Sequence, residues 1–201
     1  MPFSCGSSPA VTTPEQGTSH FVAVDRWGHV ASETSTIESA FGSGLMVNGY
    51  YLNNELTDFS FVPEKDGCPV ANRVEGGKRP RSSMSPTIIY GPDGKVRLAV
   101  GAAGGSTIIA QVAKAIIAVL DWNLPAQQAI ALPMLFAPGG DTVYLERGTY
   151  LEAMAPRLRE LGHAKITPIP PGTFKANAIE WRDGRWQGAA DPRSEGAAVS
   201  Q

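Results

Sequence analysis

Cysteine is nearly absent: Cys5 and Cys68 are the only two in 201 residues. Two such residues make neither a disulfide framework nor a metal-ligand pair at useful spacing, so two unremarkable thiols are expected. Histidine is as scarce, and His20, His29 and His163 are scattered rather than arranged as a ligand set. A charge surplus is missing too. Seventeen Lys plus Arg stand against nineteen Asp plus Glu, for a net charge of −2. With no basic excess to neutralise phosphates, a polybasic nucleic-acid binder is excluded. No apolar run reaches membrane-spanning length, since the stretch around Ile108 to Leu120 is interrupted by Gln111 and Lys114. The first residues, MPFSCGSSPAVTTPEQG, have neither the basic start nor the apolar core of a signal peptide. No nucleotide-binding loop or cofactor motif occurs, and no cofactor is expected.

What remains is an ordinary apolar content of 42% with 22 Gly and 16 Pro, enough for one domain that buries roughly two-thirds of its unfolded surface. Residues 1–17 read as a loose leader and 18–201 as the domain. His20 to Asp25 alternates like a strand, Arg26 to His29 supplies a turn, and Val30 to Ile37 returns as a second strand. A Gly-rich loop follows from Phe41 to Gly49, and 62–83 is loop by composition. Thr87–Tyr90 and Val96–Val100 form a second hairpin, and Gly101 to Gly105 then leads into a helix with its apolar stripe on Ile108, Val112, Ile116 and Val119. A short helix is expected after Pro125, a strand over Thr142–Glu146, a helix over Tyr150–Leu161 interrupted in pattern by Pro156, and two short strands from Lys175 to Trp186. This order gives an α+β fold, helices packed on antiparallel sheet.

Several residues carry possible chemistry. Thr18 follows Gly17 at the start of the first strand. A threonine hydroxyl is a weak nucleophile unless a base adjoins it, and a free α-amine on the same residue supplies one if the Gly17–Thr18 bond is cut. By itself the position reads first as a threonine that merely begins a strand. Gly104–Gly105 stands at a strand-to-helix junction, where outward N–H groups stabilise an oxyanion, although most such pairs serve a turn. Ser82 and Ser83 in Lys78-Arg-Pro-Arg-Ser-Ser-Met-Ser-Pro offer hydroxyls for a carboxylate. Glu38, Glu55 and Asp58, if gathered, would hold an ammonium group, and the last two share one turn at i, i+3 spacing. His20 reads as a strand residue rather than a base.

Taken in order, Thr18-Ser-His-Phe, Phe41-Gly-Ser-Gly, Leu52-Asn-Asn-Glu-Leu-Thr-Asp-Phe-Ser60, Lys78 to Thr87, Gly101-Ala-Ala-Gly-Gly-Ser106 and Asp191-Pro-Arg193 resemble the small C-terminal subunit of the γ-glutamyltranspeptidase (glutathione hydrolase) family. The resemblance runs from Gly17 to about Arg193. It implies an N-terminal-nucleophile hydrolase, an αββα sandwich of which this chain holds only the C-terminal half. It further implies Thr18 as the nucleophile freed by autoproteolysis, Thr36 as the hydroxyl that orients it, and Gly104 and Gly105 as the oxyanion hole. Glu38, Glu55 and Asp58 would bind the substrate's α-ammonium, and Ser82 and Ser83 its α-carboxylate. Implied partners are glutathione and other γ-glutamyl compounds, an amino acid, peptide or water acceptor, and the large subunit of the same precursor. Implied location is the periplasm or the cell exterior. Segment 62–77 falls where some members carry a lid and is shorter here. Two alternatives stay open: a related glutaryl- or cephalosporin-type acylase, and an inactive fragment or partner subunit that needs the large chain.

Overall fold

The computed structural model describes residues 17–139 and 141–200. The leader expected over 1–17 therefore lies, apart from Gly17, outside the described residues, as does Cys5. The first strands, β1 (Thr18–Val24) and β2 (Val30–Thr36), pair antiparallel from Thr18↔Thr36 to Val24↔Val30. Their turn is closed by the Asp25 carboxylate, which accepts the N–H groups of Trp27 and His29 at 2.8 and 2.9 Å. Period-two alternation buries Thr18 and His20 and leaves Ser19 and Phe21 exposed, so the hairpin has one inner face.

Two miniature hairpins interrupt the regions expected as loop: β3 (Met46–Val47) with β4 (Tyr50–Tyr51), and β5 (Glu64–Lys65) with β6 (Cys68–Pro69). Between them Glu55–Asp58 forms a single 3-10 turn. Cys68 corrects the expectation of a plain thiol, because its sulfur is disulfide-bonded and no free cysteine occurs among the described residues.

The main sheet begins with β7 (Thr87–Tyr90) and β8 (Val96–Ala103). The chain then runs through α1 (Ile108–Leu120), α2 (Ala126–Ala131), β9 (Leu135–Phe136), β10 (Thr142–Glu146), α3 (Ala155–Glu160) and β11 (Lys165–Ile169), of which β9, β10 and β11 make a second sheet, and returns to complete the main one with β12 (Lys175–Arg182) and β13 (Arg185–Ala190). The order of the main sheet is β13-β12-β8-β7, antiparallel throughout. Leu98, Val100 and Ala102 of β8 share a core with Ile108, Val112, Ala115, Val119 and Ile130 of α1 and α2. The alternate residues Ala99, Gly101 and Ala103 turn to the other face, and there the ring of His20 lies against Gly101. Helices thus cover one face of the sheet and the β1–β2 hairpin covers the other. Small side chains on β8 are what let the two sheets approach so closely.

Three expectations change. The helix over Tyr150–Leu161 divides into a 3-10 turn, Tyr150–Met154, and α3, with Pro156 in the first turn of α3. Proline has no N–H to give an earlier carbonyl but fits a first turn, where that N–H has no helical partner. Second, β11 is a strand the composition hid, since Lys165-Ile-Thr-Pro-Ile contains Pro168. It pairs only with β10, at the edge of the sheet β11-β10-β9, where a missing donor is tolerated. Third, that pair is parallel rather than antiparallel, because the 3-10 turn and α3 carry the chain back to the starting end of β10.

A buried ionic cluster joins the two larger sheets. Arg193 donates from Nε and Nη2 to the Asp191 carboxylate at 2.7 and 2.9 Å, from Nη1 to Glu146 at 2.7 Å, and from Nη2 to the Ile130 carbonyl at 2.7 Å. The Asp191-Pro-Arg motif thereby ties the end of the chain to α2 and β10. Among the described residues no helix is long and apolar enough to cross a membrane, and no group of three His, Cys, Asp or Glu is disposed to hold a metal ion.

Candidate active site

The antiparallel register places Thr18 opposite Thr36 on the inner face of the hairpin. Thr18 is 4% exposed, and its Oγ1 donates to Thr36 Oγ1 at 2.8 Å. Thr36 Oγ1 also accepts the N–H of Glu38 at 2.8 Å. Glu38 occupies the left-handed region, φ 71°, which costs a non-glycine residue about 1–2 kcal/mol. The chain is crowded around it: a Cβ on Gly17 would lie 2.5 Å from the Glu38 carbonyl oxygen and 2.7 Å from that of Ser39. Only glycine fits before Thr18.

The Glu38 carboxylate accepts Ser39 Oγ at 2.8 Å and Asn54 Nδ2 at 3.2 Å. Asn54 also accepts the Ser39 N–H through Oδ1 at 3.0 Å and donates its own N–H to the Ile37 carbonyl at 3.3 Å. It thus fastens the segment after β2 to the turn Glu55–Asp58. Glu55 and Asp58 share that turn, as their spacing predicts, and Phe59 anchors it from below, 6% exposed. Burial holds the Asp58 carboxyl above the ordinary aspartate range, the charge of Glu38 raises it further, and Arg81 draws it back. Glu38 and Asp58 therefore act on each other's charge, with Arg81 opposing them at Asp58.

The serine segment lies beside this turn. Ser82 is exposed, Ser83 half-buried, and Ser82 Oγ accepts the Met84 N–H at 3.3 Å. Its position relative to Asp58 is fixed by Asn72, which donates to the Asp58 carbonyl at 2.6 Å and accepts the Arg81 N–H at 3.0 Å. Neither Asn54 nor Asn72 is recognisable as a site residue from sequence. Asn54 at least sits inside a matched motif, whereas Asn72 carries no local signal.

Gly104 and Gly105 make the turn from β8 into α1, with φ 126° and 58°. A Cβ at Gly104 would fall 2.5 Å from the Thr173 carbonyl and 2.8 Å from Thr107 Oγ1. The turn is braced from behind: Thr107 Oγ1 donates to the Gly104 carbonyl at 2.7 Å, and Gln111 Nε2 donates to Ala103 at 2.8 Å and to Thr107 Oγ1 at 3.0 Å. With the carbonyl turned back into this network, the peptide is held in one orientation. His20 stands apart as a packing residue. Burial lowers its pKa to about 4, and its Nδ1 is 2.8 Å from Thr34 Oγ1.

A helix-covered sheet facing a hairpin that opens on a hydrogen-bonded threonine pair is the architecture of an N-terminal-nucleophile hydrolase half-sandwich. The γ-glutamyltranspeptidase family model matches residues 3–201. The glutathione hydrolase proenzyme of Bacillus subtilis is 38% identical over 188 residues, which are 92% of this chain and 31% of that protein. The γ-glutamyltranspeptidase of Pseudomonas nitroreducens, solved in complex with L-DON, superposes with a TM-score of 0.77 at 32% identity, covering 90% of this chain and 98% of that one. A solved γ-glutamyltranspeptidase from Helicobacter pylori gives 0.75 at 35%, covering 87% and 99%. The chain belongs to the γ-glutamyltranspeptidase family. It spans about a third of the length of the curated relatives it matches.

Proposed function

We propose that this chain is the catalytic, small-subunit part of a γ-glutamyl hydrolase/transferase acting on glutathione and related γ-glutamyl amides. The observation that carries the reading is the 2.8 Å hydrogen bond between Thr18 and Thr36, at a position where only glycine can precede Thr18. In the described chain Gly17 is still joined to Thr18, and its carbonyl accepts the Ile37 N–H at 3.4 Å. Self-cleavage starts with attack of Thr18 Oγ1 on that carbonyl carbon. The peptide becomes an ester, water hydrolyses it, and the α-amine of Thr18 is released.

That amine then takes the hydroxyl proton as Thr18 Oγ1 attacks a γ-glutamyl carbonyl. Thr36 orients the hydroxyl, and the backbone N–H groups of Gly104 and Gly105 receive the developing oxyanion. The leaving amine departs with the proton, leaving a γ-glutamyl ester on Thr18. Water releases glutamate from it, or an amine acceptor carries the group away. Glu38, Glu55 and Asp58 bind the α-ammonium by charge-assisted hydrogen bonds, and Ser82 and Ser83 bind the α-carboxylate. Because the acceptor must be unprotonated, transfer gains on hydrolysis as pH rises toward the acceptor's pKa.

The remaining part of the sandwich comes from a large subunit cut from the same precursor. The relatives' designation as proenzymes supports this, as does the exposure of Phe41, Leu45, Leu56 and Phe61 beside the site. A periplasmic or extracellular location accords with the disulfide at Cys68. The acidic trio argues against a glutaryl-type acylase, whose acyl group has no ammonium to meet it.

Thr18→Ala is expected to abolish both self-cleavage and release of chromophore from a γ-glutamyl anilide, each measured with and without a supplied large subunit. Turnover retained in this variant would sink the nucleophile assignment. Activity appearing only with the large subunit would identify the isolated chain as latent. A glutaryl anilide cleaved as fast as the γ-glutamyl one would move the reading to an acylase.

A further inference from the structure

Segment 62–77 contains a residue whose contacts reach both halves of the candidate substrate site. Asn72 has one side-chain amide and uses both ends of it. Its Nδ2 donates to the carbonyl of Asp58, on the acidic turn, and its Oδ1 accepts the N–H of Arg81, which immediately precedes the serine pair. The backbone of Asn72 adds a third tie, accepting the Ser60 N–H at 2.8 Å, next to the parallel bridge between Ser60 and Arg73. No other described side chain joins Asp58 to Arg81 through hydrogen bonds to their main chains.

The neighbours of Asn72 are themselves fixed. Lys78 Nζ donates to the Ala71 carbonyl at 3.0 Å, and Glu75 bridges Arg73 and Lys78 at 2.7 and 3.0 Å. These ion pairs are exposed and individually weak, but together with the Val70–Arg73 backbone hydrogen bond they close a short rigid loop around Asn72. Both ends of the amide therefore act against a fixed base, which a positioning group requires.

We propose that Asn72 is a positioning residue that sets the separation between the acidic turn, which receives the α-ammonium, and Ser82–Ser83, which receive the α-carboxylate. This rests on the γ-glutamyl reading of the site. An α-amino acid head presents its ammonium and carboxylate at a separation fixed by a single carbon, so the two protein segments must match it closely. A substrate with only one of those groups is indifferent to that separation. Asn72 touches neither the substrate nor Thr18 in this scheme; it acts through Asp58 and Arg81.

The test compares Asn72→Ala and Asn72→Asp with the unaltered assembled enzyme, on a γ-glutamyl anilide and on a glutaryl anilide, which keeps the carboxylate but lacks the ammonium. Losing a hydrogen bond of ordinary worth is expected to raise KM for the γ-glutamyl substrate about tenfold with kcat within about twofold. Activity on the glutaryl compound should stay unchanged, so discrimination between the two collapses. Asn72→Asp keeps the acceptor for Arg81 and loses the donor to Asp58, and should fall between the two. Amide exchange read by NMR gives an independent arm: in Asn72→Ala the Arg81 amide should exchange faster, while the amides of β8 and α1 stay protected.

A parallel loss on both substrates, or faster exchange throughout, would show a merely structural residue and overturn the proposal. So would unchanged kinetics in Asn72→Ala. If the unaltered assembled enzyme cleaves neither substrate, the γ-glutamyl reading itself fails. Slow Arg81 exchange in Asn72→Ala would then reject the clip as well.

Discussion

At the scale of single residues, Asp58 has the most to say about pH. Burial and the charge of Glu38 raise its carboxyl pKa, and Arg81 opposes them. A carboxyl raised in the folded state binds more protons than in the unfolded chain. Its ionised form therefore subtracts from stability, and that subtraction disappears as pH falls through the raised pKa. Binding runs the other way, since only the ionised form attracts an ammonium. Affinity for a γ-glutamyl substrate should weaken on acidification at a higher pH than an ordinary aspartate would dictate. Arg81→Gln keeps the backbone N–H that meets Asn72 and removes only the charge. The acid limb of its kcat/KM profile should move to higher pH, and a limb that stays in place or moves down would show that Arg81 does not act on Asp58. Thr36 teaches a related lesson. One hydroxyl oxygen accepts both Thr18 and the Glu38 N–H, so the proposed nucleophile and the first acidic residue are placed by the same atom.

At the scale of elements, the site depends on how the hairpin seats on the sheet. The His20 ring lies on Gly101, its Nδ1 beside Thr34 and its carbonyl held by Asn177 Nδ2 at 2.8 Å. A Cβ on Gly101 would come within 2.2 Å of that ring. With both strands pinned, neither partner can step aside. Gly101→Ala should therefore cost about 2–3 kcal/mol, the upper range for an overpacked core, measured by urea unfolding. Combining it with His20→Ala should recover most of the loss. Unchanged stability in the single variant would mean the sheets do not interlock there. The turn Gly104–Gly105 shows the same dependence on support, because Thr107, just before α1, and Gln111, in its first turn, hold it from behind rather than from the site.

Across the whole molecule, the Arg193 cluster decides whether the two larger sheets act as one body. Asp191 is 1% exposed and Glu146 5%. Removing the guanidinium leaves both carboxylates buried without their principal cation, a change worth about 3–5 kcal/mol. Arg193→Ala should lower the urea midpoint accordingly. A midpoint within error of the parent would show that Lys114, which lies among the same groups, suffices for them.

The same contrast separates what was legible in the chain from what was not. The β1–β2 and β7–β8 hairpins, α1 and the strand β10 are local patterns of period two or 3.6 closed by turn residues, and the linear order shows them. Thr18, Glu55, Asp58 and the serine and glycine pairs stand out as candidates because they lie in contiguous motifs, whereas Thr36 and Glu38 stand outside those motifs, and Thr36 enters only through the family resemblance. β11 was not, since its proline reads as a strand breaker unless the strand is known to be an edge. Asn54 and Asn72 were not, because an asparagine becomes a clip only when two distant main-chain segments reach its two ends. The sequence alone determined residue types, the two hairpins and the order of the motifs, the hairpins being consequences of near-neighbour sterics and alternation. Tertiary structure decided which face each strand buries, that β10 and β11 run parallel, and how far the acidic turn stands from the serines. Those quantities depend on hydrogen bonds between residues far apart in the chain, and no local pattern encodes them.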